Sequence, residues 1–576
     1  MDIRRTVLWM IFSLSLLLLW NNWQVHNGKP SLFGGSAATQ TAKTAQAPAA
    51  APAAPADSSV PTASSAAPAA GVPAAGVPAA GTDTTVPANG PAQPAAVASR
   101  KIDITTDVYK LTFDELGAQL VKAELLKYTA PGTKDEPMVL LDNSSQSVYL
   151  AQTGVIGAPA GQSYPTHLTP FKLVSSDRSL TGDTLKVVFE AQSDQVKVVK
   201  TYTLHRGRYD IEVRHDIQNL GAAAISPSLY LQLARDGNDP SDKSSFYSTF
   251  TGPALYSAED KFQKISFSDI DKGKAHYTKQ ANNGWIGMVQ HYFASAWVPP
   301  EGTVRHNEAL RLSNNLYAIR SIEAVGSIQP GQQASVESHL WVGPQDQKAM
   351  GALAPGLELV VDYGWLTIIA KPLFKLMTWL HALLGNWGWT IVALTLLIKL
   401  VFYPLSAASY RSMAKMKQVT PRLQSLREKF GDDKAKLNAA MMEMYRTEKI
   451  NPLGGCLPMV VQIPVFIALY WVLLGSVEMR GAPWILWIHD LSARDPWFIL
   501  PAFMMATMFL QTKLNPTPPD PTQARIMMIM PLVFGGMMFF FPAGLVLYWC
   551  VNNAVSIAQQ RYIMHKLDKE KAAASR

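Results

Sequence analysis

The sequence predicts a multi-span α-helical membrane protein that carries a large all-β domain outside the membrane. Three observations lead there. Only 16% of the 576 residues are charged and 48% are hydrophobic, against a usual charged share of about 25%. Apart from one run near the N-terminus, the long apolar stretches all follow Pro355. From Lys101 to Pro355 apolar and polar residues instead alternate with period two. The length allows several domains. Cys456 and Cys550 stand too far apart for a Cys-x-x-Cys motif, which excludes a zinc ribbon, a thioredoxin centre and a disulfide scaffold.

The first element is residues 1–23. Arg4 and Arg5 precede an apolar run from Val7 to Trp20, aromatics flank it, and no Ala-x-Ala site follows promptly. The segment therefore reads as an uncleaved transmembrane anchor with its N-terminus inside. Residues 24–100 are mostly Ala, Pro, Gly, Ser, Thr and Val, with Gly-Val-Pro-Ala-Ala repeated at Gly71 and Gly76. They lack the apolar side chains that offset ordering entropy, and read as a disordered tether reaching about 45 Å.

Residues 101–355 read as a soluble, mostly antiparallel β-sandwich of one or two packed sheets. Val196 to Leu204 and Tyr209 to Ile217 alternate on either side of His205-Arg-Gly-Arg208, the turn of a hairpin. Leu185 to Phe189 and Ser335 to Val342 repeat the pattern. His205 and His215 lie in these strands and read as structural.

Apolar spans follow at about Trp387–Leu405, Leu457–Leu474, Trp497–Leu510, Ile526–Phe541 and Gly544–Met564, several near the short end for a membrane helix. The loop between the first two carries Arg411, Lys415, Lys417, Arg422, Arg427, Lys429, Lys434, Lys436, Arg446 and Lys449, which assigns it to the cytoplasm. With the anchor this gives six spans, both termini inside and the β-domain outside. Residues 356–386 include the apolar stretch Leu366–Leu384, whose Lys371, Lys375 and Thr378 share one helical face. Were it to cross, Gly385-Asn386 would throw the basic loop outside, so it reads as an amphipathic helix in the outer interface. Residues 387–564 hold the five later spans, and 565–576 form a cytoplasmic tail. The basic loop, 407–452, reads as a helical hairpin. Its first helix ends at Phe430, Asp432 or Asp433 caps the second, and Asn451-Pro452 stops it, with Leu423, Leu426 and Phe430 facing Leu437, Met441 and Met444. Such a charged hairpin suits an RNA-bearing or acidic partner.

No Walker A, His-Glu-x-x-His, Gly-x-Ser-x-Gly or EF-hand pattern occurs, so no catalytic residue, metal or other cofactor is expected. Lys399 is the one basic residue deep in an apolar run, and such residues are costly enough to mark function. Snorkelling is the alternative, since the cytoplasmic end at Leu405 is only about 9 Å away. Other helices favour function: Gln462, Thr395 and the i, i+4, i+7 series Asn552, Ser556 and Gln559 all fall in the same membrane half. Polar groups at that depth pair or line a wet cavity: the reading is a groove open to the cytoplasm, and helix-to-helix hydrogen bonding without a cavity is the alternative. The spans are also rich in methionine, and Met504 and Met508 share a face suited to varied apolar partners, with ordinary lipid-facing or core packing as the alternative.

Several motifs resemble the YidC/Oxa-type membrane protein insertases, in the Gram-negative form with a large periplasmic domain. They are Tyr403-Pro-Leu-Ser, Ser412-Met-Ala-Lys-Met416, Asn451-Pro-Leu-Gly-Gly-Cys-Leu-Pro458, Trp487-Ile-His-Asp-Leu-Ser492 and Phe541-Pro-Ala-Gly-Leu-Val-Leu-Tyr548. The resemblance implies a five-helix insertase core in the bacterial inner membrane and a periplasmic β-supersandwich. It implies a non-enzymatic insertase and chaperone, acting on nascent membrane proteins alone or with the Sec translocon. Membrane lipids and the ribosome are further implied partners, and no nucleic-acid sequence is read. It sets Lys399 at the groove's charged position with Thr395 nearby, and Phe466, Met504, Met537 and Trp549 along the slide that client helices contact. Trp549 stands where some relatives have tyrosine, and the tail after Lys571 lacks their long basic extension. Two rivals remain open on the residues alone: a transporter or channel using Lys399, and a membrane-anchored sugar-active enzyme.

Overall fold

The computed structural model describes Thr82–Asp83 and residues 99–574, except Gly132, Lys134, Asp194 and segments 241–248, 431–432, 449–456 and 516–520. The anchor expected at 1–23 and the stop at Asn451-Pro452 lie outside the described residues. The linker was expected to lack structure throughout. Thr82–Asp83 instead form a short antiparallel pair with Ala158–Pro159.

Period-two alternation builds two antiparallel nine-stranded sheets. The first runs from edge to edge through Lys261–Lys264, Gly252–Ser257, Trp285–Val289, Phe293–Val298, Gln333–Pro344, Asp210–Asn219, Val196–His205, Thr184–Gln192 and Lys172–Leu173. The second runs through Gln280–Ala281, Arg305–Ser313, Leu316–Ala324, Ser228–Asp236, Val148–Ile156, Pro137–Asn143, Gln119–Thr129, Tyr109–Asp114 and Lys101–Thr105. The hairpin read from sequence pairs Leu204 with Ile211 and Val196 with Asn219. Gly207, at φ 71°, takes the left-handed conformation its turn requires. Inward residues Phe113, Val187, Phe189, Val198, Tyr202, Val213 and Trp297 form a dry core between the sheets.

Lys200 is the exception on that inward face. It is fully buried, and its Nζ donates to the carbonyls of Gly117 (2.7 Å) and Thr153 (2.9 Å) while lying over the Phe171 ring. Burial pushes its ammonium down to about 7. His215 bonds the Thr153 hydroxyl at 2.8 Å, and burial lowers it as well. Both strand histidines are structural: His205 meets Glu212 across the hairpin.

The helices are α1 (Phe267–Asp271) within the β-domain, then α2 (Gln347–Leu353), α3 (Thr367–Leu384), α4 (Trp387–Val401), α5 (Tyr403–Phe430), α6 (Lys434–Thr447), α7 (Leu457–Gly475), α8 (Ile499–Leu514), α9 (Pro521–Met537) and α10 (Ala543–Ala574). Their ends follow local chemistry. Asp346 caps α2, Gly385 ends α3 at φ 65°, Asn386 caps α4 and Asp433 caps α6. Among the described residues no single helix is long and apolar enough to cross a membrane, and Val461–Gly475, Ile499–Leu514 and Ala524–Phe540 are shorter apolar helices.

The run Trp387–Leu405 was expected to be one span. It breaks instead: α4 and the first part of α5 meet the span criterion only together, across a 64° bend. Pro404 explains the break, because its ring clashes with the carbonyl four residues back and it has no N–H to offer. The final span, expected to end at Met564, continues as one helix to Ala574. In the hairpin, Leu423 meets Met441 and Met444, and Met416, Val419 and Tyr445 join that cluster.

The two parts share a core. Ala254, Trp285, Val289, Ala296 and Trp341, on the outward face of the first sheet, pack in one cluster with Met350, Tyr363 and Phe374. That cluster continues into Ile391, Leu394, Val472 and Tyr548. Helix α3 buries Ala370, Phe374 and Met377, leaves Lys375 and Thr378 exposed, and pairs Lys371 with Glu358.

Candidate functional site: a polar cluster among α4, α5, α7 and α10

Lys399, on the last turn of α4, is 6% exposed and donates from Nζ to Ser556 Oγ at 2.8 Å. Ser556 in turn donates to the Asn552 carbonyl one turn earlier on α10, at 2.7 Å. Asn552 Oδ1 accepts from Gln462 Nε2 of α7 at 3.1 Å, and Gln559 Nε2 reaches the Lys399 carbonyl at 3.4 Å. Five of the six expected polar residues thus form one connected set across three helices. Thr395 is buried a turn away, but its hydroxyl bonds back to Ile391 of its own helix. The set works chemically because α10 presents Asn552, Ser556 and Gln559 on a single face.

The apolar residues divide. Phe466 of α7 lies 4.5 Å from the Trp549 ring, which also meets Phe534 of α9 at 5.4 Å. Met537 is exposed and Met508 half-buried. Met504 departs from expectation: it is completely buried in the shared core, so it presents no surface alongside Met508. The i+4 spacing is right, but the inner position lies in the buried cluster that also holds Leu500, Val546 and Cys550.

Other polar residues went unnoticed in the sequence. Tyr410 on α5 donates to the Ser556 carbonyl at 3.3 Å, bringing the root of the basic hairpin to the cluster. Asn553 and Gln560 form a second polar row on α10: Asn553 reaches Thr507 at 3.4 Å and Gln560 reaches Asn515 at 3.2 Å, both on the α8 side. Their i, i+7 spacing was the available signal. In the connection from α7 to α8, buried Asp495 accepts from Trp487 Nε1 and from the backbone N–H groups of Trp497 and Leu500.

A β-sandwich sharing its core with a set of apolar helices, one of which buries a lysine on a neighbour's hydroxyl, has the build of a membrane protein with an external domain. Comparison narrows this: residues 101–376 match the family model described as YidC periplasmic domain, and residues 379–571 match that of 60Kd inner membrane protein. The chain is 71% identical over 575 residues to the membrane protein insertase YidC of Bordetella parapertussis, covering all of both chains. It is 52% identical over 577 residues to that of Cupriavidus metallidurans, covering 100% of this chain and 99% of the relative. The chain belongs to the YidC family of membrane protein insertases. It is an inner-membrane protein with a periplasmic domain, and this family is not an enzyme class.

Among solved structures, a crystal structure of active YidC insertase with the first transmembrane domain resolved overlaps at TM-score 0.38 and 19% identity. It covers 80% of this chain and 92% of its own. A galactose mutarotase related enzyme from Lactobacillus acidophilus overlaps at TM-score 0.30 and 8% identity, covering 42% of this chain and 97% of its own. Both overlaps are too loose to carry an argument.

Proposed function

We propose that the chain inserts inner-membrane proteins, and helps them fold, through a hydrated groove centred on Lys399 and open to the cytoplasm. It does so alone or with the Sec translocon, receiving clients from the ribosome. In this reading the anchor and five later helices give six spans with both termini in the cytoplasm, residues 356–386 lie in the outer interface, and the basic hairpin faces the ribosome side. The observation that carries it is the bond from Lys399 to Ser556. A buried ammonium held by a neutral hydroxyl keeps its charge available, and an arriving client carboxylate is a stronger acceptor than the serine.

The groove shortens the low-dielectric path that a client's polar tail crosses. Phe466, Met508, Met537 and Trp549 form the apolar wall along which the client helix moves to lipid; Met504 supports this wall from within. Helix burial and the membrane potential, about 2.3 kcal/mol per charge per 100 mV, drive the step. The test is protease protection of paired clients that differ only in an acidic or neutral translocated tail. Lys399→Ala is expected to slow the acidic client about tenfold or more and spare the neutral one, while Lys399→Arg keeps the charge and most of the rate. Equal, undiminished insertion of both clients by the alanine variant would leave Lys399 as a surface anchor and sink the groove.

A further inference from the structure

The end of α7 nearest the β-domain is held by it. The residues that follow, Ser476 to Arg480, enter the sandwich: Val477 is 3% exposed and belongs to the core between the sheets. His291 Nε2, from the turn between Trp285–Val289 and Phe293–Val298, donates to the Leu474 carbonyl at 3.1 Å. Arg480 Nη2 donates to the Thr129 carbonyl at 2.9 Å, and its guanidinium lies 5.1 Å from the Phe293 ring centre and 5.6 Å from that of Tyr292. One short segment therefore fills a socket made by two strand ends and a turn.

Inside that socket is an acid. Glu478 lies between the two seating residues, and its Oε2 is buried with no hydrogen-bond partner. The groups coupled to it are its own backbone amide, Asp346 at the cap of α2, Tyr128 at the end of its strand and Tyr363 before α3; Arg480 and His291 hold the same segment through the Thr129 and Leu474 carbonyls. Burial holds the Glu478 carboxyl up at about 7, against the bond from its own backbone amide and with a smaller push from Asp346.

We propose that the β-domain holds the outer end of α7 in a releasable clamp, seated by Val477 and Arg480 and loosened when Glu478 ionises, while the apolar core shared with α3 and α4 keeps the two parts together. Released into water, Glu478 takes an ordinary carboxylate affinity for protons. The docked form thus holds the extra proton between the ordinary range and about 7. Docking is tightest at acid pH, weakens as pH rises through that window, and then levels off. Protonation of His291 leaves its Nε2–H donor in place, so Glu478→Gln isolates the carboxyl. Because α7 carries Gln462 and Phe466, the clamp sets how far that helix leans from α10. The proposal is independent of the groove and is measured without any client.

The experiment measures distances by pulsed electron–electron resonance on the full chain in lipid vesicles. Spin labels are attached at exposed positions through Lys127→Cys and His489→Cys, with Cys456→Ala and Cys550→Ala in the background. The expected result is one short distance at pH 5 and a growing longer population by pH 8, a change in the docking constant on the order of a hundredfold. Glu478→Gln should keep the short distance at both pH values, and Arg480→Ala should show the long one at both. An unchanged distribution from pH 5 to 8, a Glu478→Gln chain that titrates like its parent, or an Arg480→Ala chain that stays docked would each overturn the clamp.

Discussion

Each half of the molecule buries a lysine, and the two are held differently. Lys200 in the β-domain is bonded to two main-chain carbonyls that no rotation can remove. Lys399 in the helical half is bonded to a single serine hydroxyl, which has its own backbone acceptor in Asn552. A cation pinned by the main chain is part of the fold. A cation resting on a hydroxyl is free to change partner at little cost.

The largest expected break in this contrast is Lys200→Met, which keeps the stem's packing but strands the carbonyls of Gly117 and Thr153. Chemical unfolding of the β-domain should show a loss of about 2–4 kcal/mol, with no change specific to client charge. The same lysine gives a pH signature. Its folded affinity for protons is depressed, to about 7, so above that value the unfolded chain binds more protons and stability rises with pH until the ordinary lysine range. Lys200→Met should flatten that rise, and a slope that survives the substitution would mean another group causes it.

Ser556→Ala probes the other lysine and should have a middling effect. It removes the neutral partner of Lys399 without removing the charge, so acidic clients should insert within about threefold of the normal rate. A loss as deep as that of Lys399→Ala would make Ser556 a fixed partner and erase the contrast. The smallest effect is expected from deleting residues 31–80, which spares the Thr82–Asp83 pairing: complementation of a depletion strain should be nearly unchanged. Loss of viability at normal protein levels would give the linker a role.

Local rules made much of this readable in the sequence. The hairpin around Gly207 follows from alternation and one turn, Asp433 caps its helix as a short acidic side chain does, and the Asn552, Ser556, Gln559 face is simple helical periodicity. What stayed hidden depends on contacts between distant segments. Tyr410 is 146 residues from Ser556, and Arg480 is 351 residues from Thr129, so no window along the chain contains either pair. Met504 illustrates the same limit in reverse. Its helix face was readable, but which neighbour covers that face was not. The 64° bend was signalled by Pro404, yet apolar continuity through Leu405 concealed it.

That bend carries an obligation of its own. A helix that stops leaves its last carbonyls without donors from the following turn, and a helix that starts leaves its first amides without acceptors. At the junction of α4 and α5, the Lys399 carbonyl receives Gln559 and the Phe402 carbonyl receives the Ser406 amide. Hydrocarbon has nothing to offer a backbone group left without a partner, whereas water does. In the proposed reading, a chain broken there lies beside the hydrated groove. If that reading holds, straightening the junction with Pro404→Ala would take away a backbone feature that favours water beside Lys399.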